Sequence, residues 1–237
     1  MLKITDNYDG YVTRYPKILE LSNKQLEDQI WFASEIKVVE EDRMEMLYDL
    51  NEKQQRVVKA ILPMFRRIEH DVGKFWVDVY AQYFKAPECQ EAAAVVNMIE
   101  RAVHERFYDK INIVFGLDND ESYLSYLDDP IFKDRAKWLG KVLKDEDKHK
   151  VCLIFGLTEG VSLFSLFALL RSFQANGVNR ITTTVKGTKA SALDELLHSD
   201  ILATTFVYYY LEQGKTLEED IKYLNILKEE TLNVVEM

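Results

Sequence analysis

Four stretches of the sequence place an acidic side chain, alone or with a histidine, among apolar residues that recur every three or four positions. In the first stretch Glu69 lies between Phe65 and Val72, so the three side chains share one face of a helix. A carboxylate on an inward face is tolerated only when it is paired, protonated or bound to a metal ion. The four stretches supply six candidate metal ligands: Glu69, Glu100, His104, Glu159, Glu195 and His198.

The order of these residues along the chain is a lone glutamate, a Glu/His pair, a second lone glutamate and a second Glu/His pair. One such set on each of four long helices is the ligand set of a carboxylate-bridged di-metal site in a ferritin-like bundle. Roughly 30 to 36 residues separate Glu69 from Glu100 and Glu159 from Glu195, which lets one helix run out and the next return at about 1.5 Å per residue. Because four carboxylates nearly balance two divalent ions, coordination offsets the cost of burying them.

Composition also favours helices. The 237 residues are 47% hydrophobic and 30% charged, which suits a globular chain with a sizeable core. Nine glycines and four prolines are far fewer turn-forming residues than an architecture of strands and turns needs. No internal repeat or linker-like segment divides the sequence. We therefore expect an all-α, ferritin-like bundle that forms a single domain over residues 1–237.

Charge and cysteine content restrict the partners and the compartment. A formal net charge of -10 repels phosphate backbones and anionic lipid surfaces, so we expect neither nucleic acid nor a membrane as a partner. The wide spacing of Cys89 and Cys152 suggests neither a disulfide framework nor a zinc site, and the first residues lack the apolar centre of a signal peptide. These features indicate the reducing cytoplasm.

The segment at residues 151–170 is long and apolar enough to be considered as a membrane span. Its single charged residue, Glu159, would lie near the middle of the bilayer, where a carboxylate is costly, and no other segment resembles a span. We therefore interpret this segment as a helix buried on all sides within a bundle.

Periodicity and turn residues divide the chain into helices. Pro63 is expected to bend its helix or to mark a junction, and Gly177 and Gly214 suit the ends of two others. Glu146 and His149 form a further Glu/His pair, but their charge-rich surroundings indicate a solvated face. The predicted helices cover residues 25–35 (with Trp31), 51–85, 88–115, 129–145, 149–176, 188–213 and 217 to the end, and residues 118–121 form a polar loop.

Five segments resemble the small, radical-generating subunit of aerobic class I ribonucleotide reductase. The resemblance extends from about residue 14 to the last residue and includes positions outside the six candidate ligands. It implies a ferritin-like fold with a di-metal site at those six residues. The segments read RYPKILELSNKQLEDQIWFASEI, FRRIEHDVGKFW, IERAVHERFYDKIN, LTEGVSLFSLFALLRSF and ALDELLHSDI.

The resemblance also implies roles for further residues and partners. Tyr108, one turn after His104, matches the tyrosine that bears the radical, and Trp31 and Asp194 match the hydrogen-bonded electron path that includes His104. The implied cofactors are two metal ions per chain, with iron as the first expectation and manganese or a mixed pair left open, and O₂ is the oxidant. The implied partners are the large catalytic subunit, acting on ribonucleoside di- or triphosphates, and a second copy of the chain in a homodimer.

A buried tyrosyl radical survives only where water and reductants are excluded. Leu163 and Phe167, one and two turns beyond Glu159, are therefore candidates for the apolar side chains that surround Tyr108. The residues alone would also allow Tyr108 to be one amphipathic core tyrosine among the thirteen in the chain.

The first Glu/His pair departs from the pattern of the family. Both pairs are commonly spaced E-x-x-H in the family, whereas four positions separate Glu100 from His104, and Arg101 lies three before the histidine. We expect Glu100 to be the ligand, because positions three and four back straddle one helical face. A one-residue helical bulge would also correct the register. Arg101 then shares the outer, polar side with Asn97, Glu105 and Asn112.

The ending is a second departure from the family. The chain stops at ILKEETLNVVEM, where the family continues with further helices and a tail that docks on the large subunit. A fragment, a truncated form, or one half of a split protein completed by a second polypeptide would each account for this ending.

Two functions from other classes stay open on the sequence. Another ferritin-like di-metal oxidase or an iron-storage protein would keep the ligands without needing a radical or a large partner, although the matches at Trp31, Asp194 and Tyr108 count against it. A helical binding module without metal would leave the inward carboxylates without a counter-charge.

Overall fold

The computed structural model describes residues 2–175, 177–214 and 216–236, and within these ranges the chain forms helices and loops without a β-strand. The predicted all-α fold is therefore confirmed. The helices are α1 (Pro16–Glu27), α2 (Glu40–Tyr48), α3 (Glu52–Phe75, Trp76–Tyr80 and Ala81–Tyr83), α4 (Pro87–Met98, Ile99–His104 and Glu105–Phe115), α5 (Asp120–Leu124, then Ser125–Asp128), α6 (Pro130–Val142), α7 (Lys148–Leu157, Thr158–Ser162, Leu163–Arg171 and Ser172–Gln174), α8 (Thr182–Glu212) and α9 (Leu217–Glu236).

The four long helices α3, α4, α7 and α8 pack against one another and form the core of the bundle. Helix α1 crosses α4 and α8, and α9 lies against α7. Buried apolar side chains form one cluster around Phe65 and Phe167 and another around Phe75 and Phe155. The polar cluster described below lies on the same four helices, so apolar side chains flank it at both ends.

Helix α7, with its 3₁₀ end, is long and apolar enough to cross a membrane by length and composition (Lys148–Gln174). In this structure 56% of its most apolar window is buried inside the bundle, as in the core helix of a globular protein. Its packing against α8 accounts for its hydropathy without a bilayer.

Side chains outside the core define where the helices begin. Asn51 and Gln54 form a reciprocal capping box at the start of α3, which then continues through Pro63. The first turn of α8 is capped from a distance, because both backbone and hydroxyl of Thr184 donate to the carboxylate of Asp42. Three consecutive threonines are poor helix formers, and this long-range cap explains why α8 begins at Thr182 rather than at the predicted residue 188.

Two local predictions are wrong. Helix α1 ends at Glu27, so Trp31 lies in the loop that follows it and not in a helix over residues 25–35. The predicted loop at residues 118–121 contains the start of α5, because the side chain of Asn119 accepts the backbone N–H of Ser122 and caps a helix there.

His149 is also misplaced by the sequence prediction. It is buried rather than solvated, its Nε2 lies 3.1 Å from the carbonyl oxygen of Phe206, and its Nδ1 lies 2.7 Å from the hydroxyl of Tyr223. The ring also stacks on Phe206 at 3.8 Å between centroids. These partners belong to α8 and α9, which are too distant in sequence for the local charge pattern to reveal.

One glycine allows α8 to approach α4 closely. A Cβ atom on Gly187 would lie 1.8 Å from Cζ of Phe107, so a larger side chain there could not coexist with this ring position. Phe107 in turn contacts Trp31 and Tyr108, with ring centroids 5.5 Å and 5.2 Å away. The contact at Gly187 thus fixes the position of a ring that touches two candidate functional residues.

Candidate metal centre

The core helices bring the six predicted ligands together in the interior. Helix α3 contributes a glutamate, α4 a Glu/His pair, α7 a glutamate and α8 a second Glu/His pair, and each of these side chains is fully buried. Two groups of four residues could each hold a metal ion, and they share two glutamates. The residues are Glu69, Glu100, His104 and Glu195 in one group, and Glu100, Glu159, Glu195 and His198 in the other.

A π-helical turn accounts for the unusual spacing of the first pair. The turn covers Ile99–His104 and therefore contains both Glu100 and His104. The wider turn places residues four apart on one face, as the sequence analysis anticipated with a helical bulge. Glu159 also lies in a π-helical turn, Thr158–Ser162.

Arg101 points away from the cluster. Its side chain is 40% exposed and forms an ion pair with Glu105, with Nε 2.8 Å from Oε2. The side chain also crosses the surface of α3 at Gly73, where a Cβ atom would lie 2.6 Å from Cδ of Arg101. The predicted register, with Glu100 inward and Arg101 outward, is therefore the observed one.

Three carboxylate oxygens surround one nitrogen of His104. Its Nδ1 lies 3.4 Å from Oε2 of Glu69, 3.2 Å from Oε2 of Glu100 and 3.2 Å from Oε1 of Glu195. A single imidazole N–H can donate to only one of these oxygens. Ligand atoms about 2.0–2.2 Å from a metal ion lie roughly 3 to 3.5 Å from one another, so these separations match a coordination shell better than a hydrogen-bond network.

His198 repeats the arrangement on the other side. Its Nδ1 lies 2.7 Å from Oε1 of Glu100, 3.3 Å from Oε2 of Glu159 and 3.2 Å from Oε2 of Glu195. Glu100 and Glu195 each direct one oxygen to His104 and the other to His198. These two glutamates have the geometry of bridging ligands, whereas Glu69 and Glu159 have that of terminal ligands.

The charges of the cluster fit two divalent cations. Both carboxylate oxygens of Glu69 and Oε2 of Glu159 are buried, and none of them has a hydrogen-bond partner among the described residues. A buried acceptor without a partner is costly, and a buried carboxylate more so. Four carboxylates and two neutral imidazoles would be balanced by two divalent ions, and oxygen and imidazole ligands suit iron and manganese. The residues therefore fit the metal pair that the sequence predicts.

The pKa values of the cluster reflect the same excess of buried carboxylates over compensating charges. Burial and the neighbouring carboxylates raise the pKa of Glu69 well above its usual value, and burial raises the pKa of Glu159 to about 8. Burial also opposes ionisation of Glu100, but the imidazoles of His104 and His198 outweigh it and lower the pKa. Conversely, the charge of Glu100 overcomes burial and raises the pKa of both imidazoles. Without cations, the protein must use protons to compensate its own carboxylates.

A hydrogen-bonded chain leads from His104 to the loop after α1. Nε2 of His104 lies 2.9 Å from Oδ2 of Asp194, and the same oxygen accepts the indole N–H of Trp31 at 2.7 Å. The side-chain amide of Gln25 donates to the other oxygen, Oδ1, at 2.9 Å. Trp31 and Asp194 thus lie together beside His104, and Gln25 is an additional partner that the sequence analysis missed.

Tyr108 lies within the apolar cluster on the Glu69 side of the site. Its ring stacks on Phe65 at 4.8 Å between centroids, Phe65 stacks on Phe167 at 4.9 Å, and Leu163 belongs to the same cluster. The Tyr108 hydroxyl is buried and has no hydrogen-bond partner among the described residues. Burial, and next the charge of Glu69, raise the pKa of Tyr108 well above its usual value.

Comparison with known proteins identifies the family. A profile described as "Ribonucleotide reductase, small chain" matches residues 9–231. The chain belongs to this family. The resemblance noted in the sequence is therefore confirmed.

One curated relative of this small chain is described as a probable ribonucleoside-diphosphate reductase small subunit, 376L, of Invertebrate iridescent virus 6. The two sequences are 26% identical over 229 residues, and the match covers 88% of this chain and 61% of the relative. The chain thus spans about three fifths of the length of that relative.

Two solved structures share the fold of this small chain. The ribonucleotide reductase R2 subunit from Clostridium botulinum is 15% identical with a TM-score of 0.76, covering 94% of this chain and 74% of that one. The dimanganese(II)-NrdF of Streptococcus sanguinis is 14% identical with a TM-score of 0.81, covering 97% of this chain and 80% of that one. The predicted ferritin-like bundle is therefore confirmed.

The opposite end of the cluster in this small chain contains an aromatic pair that the sequence analysis did not select. The indole N–H of Trp76 donates to Oε1 of Glu159 at 3.2 Å, and the ring lies 4.7 Å from that of Tyr80. The hydroxyl of Tyr80 is 2.7 Å from that of Thr205. No local signal in the sequence distinguishes an indole that faces a carboxylate on another helix.

Two residues expected on the outer, solvent-exposed side of α4 are buried instead. Glu105 is 9% exposed and pairs with Arg66, with Nη1 2.5 Å from Oε1, as well as with Arg101. Asn112 is fully buried. The prediction was wrong for both because α3 covers this side of α4, and a packed neighbour can bury a polar face that pairs its charges.

Proposed function

We propose that this chain is the radical-generating small subunit of a ribonucleotide reductase, formed as a single domain that holds two metal ions. Glu69, Glu100, His104 and Glu195 would hold one ion, and Glu100, Glu159, Glu195 and His198 would hold the other. Iron is the metal proposed first, and metal analysis distinguishes it from manganese or a mixed pair. The convergence of three carboxylate oxygens on each imidazole Nδ1 supports this assignment above all.

When bound, the metal pair supplies an oxidising equivalent after reaction with O₂. The protein supplies the electron donor, Tyr108, whose hydroxyl is buried on the Glu69 side of the cluster. Tyr108 would give one electron to this oxidising equivalent and its phenolic proton to a carboxylate of the cluster, for which Glu69 has oxygens without a hydrogen-bond partner among the described residues, and a neutral tyrosyl radical would remain. Phe65, Phe107 and Phe167 lie around or behind the ring and keep water and reductants away from it.

Electrons reach and leave the site through Trp31, Asp194 and His104 in this proposal. The indole N–H, the shared carboxylate oxygen and Nε2 of the imidazole are connected by bonds of 2.7 Å and 2.9 Å. Asp194 also fixes the imidazole so that Nδ1 faces the carboxylates. Trp31 is only 8% exposed, but it lies in a loop outside the four-helix core, which suits the outer end of such a path.

The partner that uses the radical is the large, catalytic ribonucleotide reductase subunit, which reduces ribonucleotides to deoxyribonucleotides in the cytoplasm. We further propose that the chain pairs with a second copy as a homodimer. Family membership supports the first partnership, and the curated relative is itself described as a ribonucleoside-diphosphate reductase small subunit.

The test is metal loading followed by oxidation. The purified protein is loaded with Fe(II) without oxygen, its metal content is measured, and it is exposed to O₂ before low-temperature electron paramagnetic resonance. We expect about two ions per chain and an organic radical signal with tyrosyl hyperfine structure. Metal without a radical would instead indicate a di-metal oxidase or an iron store, and no metal would refute the ligand assignment.

Matched carboxylate variants make the test specific. Glu195→Gln should remove most of the bound metal, because Glu195 belongs to both groups of candidate ligands. Glu88 is also fully buried on α4, but its Oε1 accepts the backbone N–H groups of Arg14 and Tyr15, away from the cluster. Glu88→Gln should therefore keep the metal content of the unmodified protein.

A further inference from the structure

A second interior feature lies outside the metal centre. Helices α3, α6 and α7, together with Tyr126 of α5, line a cavity of about 200 Å³. Thr158, next to Glu159 on α7, forms part of its wall, but none of the six candidate ligands lines it. Most of the wall is apolar and includes Met64, Val72, Phe132, Leu139, Leu143 and Phe155.

One cation in this wall has no anion to balance it. Arg135 is partly buried on α6, and its Nη2 donates to the hydroxyl of Ser162 at 2.6 Å. No carboxylate of the described residues lies within ion-pairing distance of Arg135. The wall contains one carboxylate among the described residues, Asp71, and this is paired with Arg67 at 2.9 Å. Burial without a compensating charge lowers the pKa of Arg135.

The size of the cavity limits what it can hold. An apolar cavity of about 150 Å³ accepts a benzene molecule, and sites for drug-sized ligands run from about 300 Å³ upward. A cavity of about 200 Å³ therefore suits a ligand slightly larger than benzene, on the order of eight to ten non-hydrogen atoms. An unpaired guanidinium at its wall favours a planar carboxylate, which it can bind with two hydrogen bonds.

We propose that the cavity between α3, α6 and α7 binds a small organic carboxylate, with its apolar body against Phe132, Leu139 and Phe155 and its carboxylate on Arg135. A bare inorganic anion would leave the apolar wall unused, and a neutral hydrocarbon would leave the guanidinium unbalanced. Binding at this site needs no metal at the carboxylate cluster, so the proposal can be tested independently of the proposed radical function.

The test uses hexanoate as the probe and measures binding by isothermal titration calorimetry, with ligand-observed nuclear magnetic resonance as a second readout. Hexanoate should bind the unmodified protein, loaded with metal or not, and Arg135→Gln should weaken binding at least tenfold. Arg67→Gln is the matched control, because Arg67 also lines the cavity but already pairs with Asp71. It should change the affinity less than threefold.

A second variant guards against an effect of Arg135 on folding. Gly140 lines the cavity, and a Cβ atom there would meet nothing within 4 Å, so Gly140→Phe can add bulk without an immediate clash. It should reduce hexanoate binding while leaving Arg135 in place. Equal binding of 1-hexanol or of inorganic phosphate would overturn the carboxylate assignment. Absence of hexanoate binding at millimolar concentration, or equal binding to Arg135→Gln, would overturn the site.

Discussion

The two ends of the carboxylate cluster use the same ligand types but are held in opposite ways. At the His104 end, Asp194 holds the imidazole through Nε2, whereas the terminal carboxylate of Glu69 has no hydrogen-bond partner among the described residues. At the other end, Trp76 holds the terminal carboxylate of Glu159, whereas Nε2 of His198 is buried without such a partner. Each end therefore has one ligand oriented by the protein and one that only coordination would fix.

The two ends of the cluster also differ in the surroundings of the buried tyrosine that lies at each end. Tyr80, beyond Trp76 at the His198 end, has its hydroxyl bound to Thr205, and Thr205 in turn donates to the carbonyl oxygen of Ile201. Tyr108, at the Glu69 end, has a buried hydroxyl without a hydrogen-bond partner among the described residues, and the charge of Glu69 contributes to raising its pKa. The tyrosine coupled electrostatically to the cluster is therefore Tyr108, and only this end also has the Asp194 connection toward the loop after α1.

The largest expected effect follows from exchanging these tyrosines for phenylalanine. Tyr108→Phe should abolish the radical signal seen after Fe(II) and O₂, because the phenol that gives up the electron is gone. Tyr80→Phe should preserve that signal, since the groups that act most strongly on the Tyr80 hydroxyl are Thr205 and the two cysteines, and none of them is a candidate ligand. Electron paramagnetic resonance on protein of matched metal content checks both. A radical lost from Tyr80→Phe and kept in Tyr108→Phe would reverse the assignment of the two ends.

The second prediction concerns the bridge between the ends. Glu100→Ala should lower metal content at both positions, because Glu100 directs one oxygen to each imidazole. Its neighbour in the same π-helical turn provides the control: Arg101→Ala should leave metal content unchanged, since Arg101 pairs with Glu105 on the outer side. Metal analysis by mass spectrometry measures both. The reverse pattern would mean that the turn has been read in the wrong register.

Much of this site could be predicted because its residues follow helical periodicity. A carboxylate on an apolar stripe is conspicuous in one sequence, and four such stripes at matching separations define a bundle core. The all-α fold, the long helices and the inward position of Glu100 follow from the same local pattern.

The missed features depend on contacts between distant segments. Gln25 and Trp76 reach Asp194 and Glu159 across the bundle, Asp42 caps α8 from α2, and His149 is buried by α8 and α9. Nothing in the neighbouring residues marks these partners. The loop position of Trp31 was missed for a related reason: α1 ends at Glu27, and Trp31 in the following loop bonds to Asp194, a tertiary contact that local helix propensity does not encode.

The third prediction tests whether Asp194 orients the imidazole of His104 for metal binding. Asp194→Asn should weaken metal binding at the His104 end by about 10- to 100-fold, as expected when the carboxylate behind a coordinating histidine is lost. The His198 end should keep its ion. Gln25→Leu is the milder control, because Gln25 touches only the outer oxygen of Asp194. Chelator competition that follows the two ions separately would decide, and a loss confined to the His198 end would contradict the asymmetry.

The smallest expected effect concerns Glu159, the terminal carboxylate that Trp76 orients at the His198 end. Trp76→Phe removes the indole N–H that bonds to Glu159 at 3.2 Å but keeps an aromatic ring in place. A net hydrogen bond of about 1 kcal/mol corresponds to roughly a fivefold change in affinity, so metal binding at the His198 end should weaken by about that factor. Phe75→Leu is the matched control, because Phe75 stacks on Phe155 at 4.1 Å in the same apolar cluster and is not a hydrogen-bond donor. Both variants lose buried packing, but only Trp76→Phe should change chelator competition. Equal weakening in both would show that packing around the cluster, rather than the indole bond, orients Glu159.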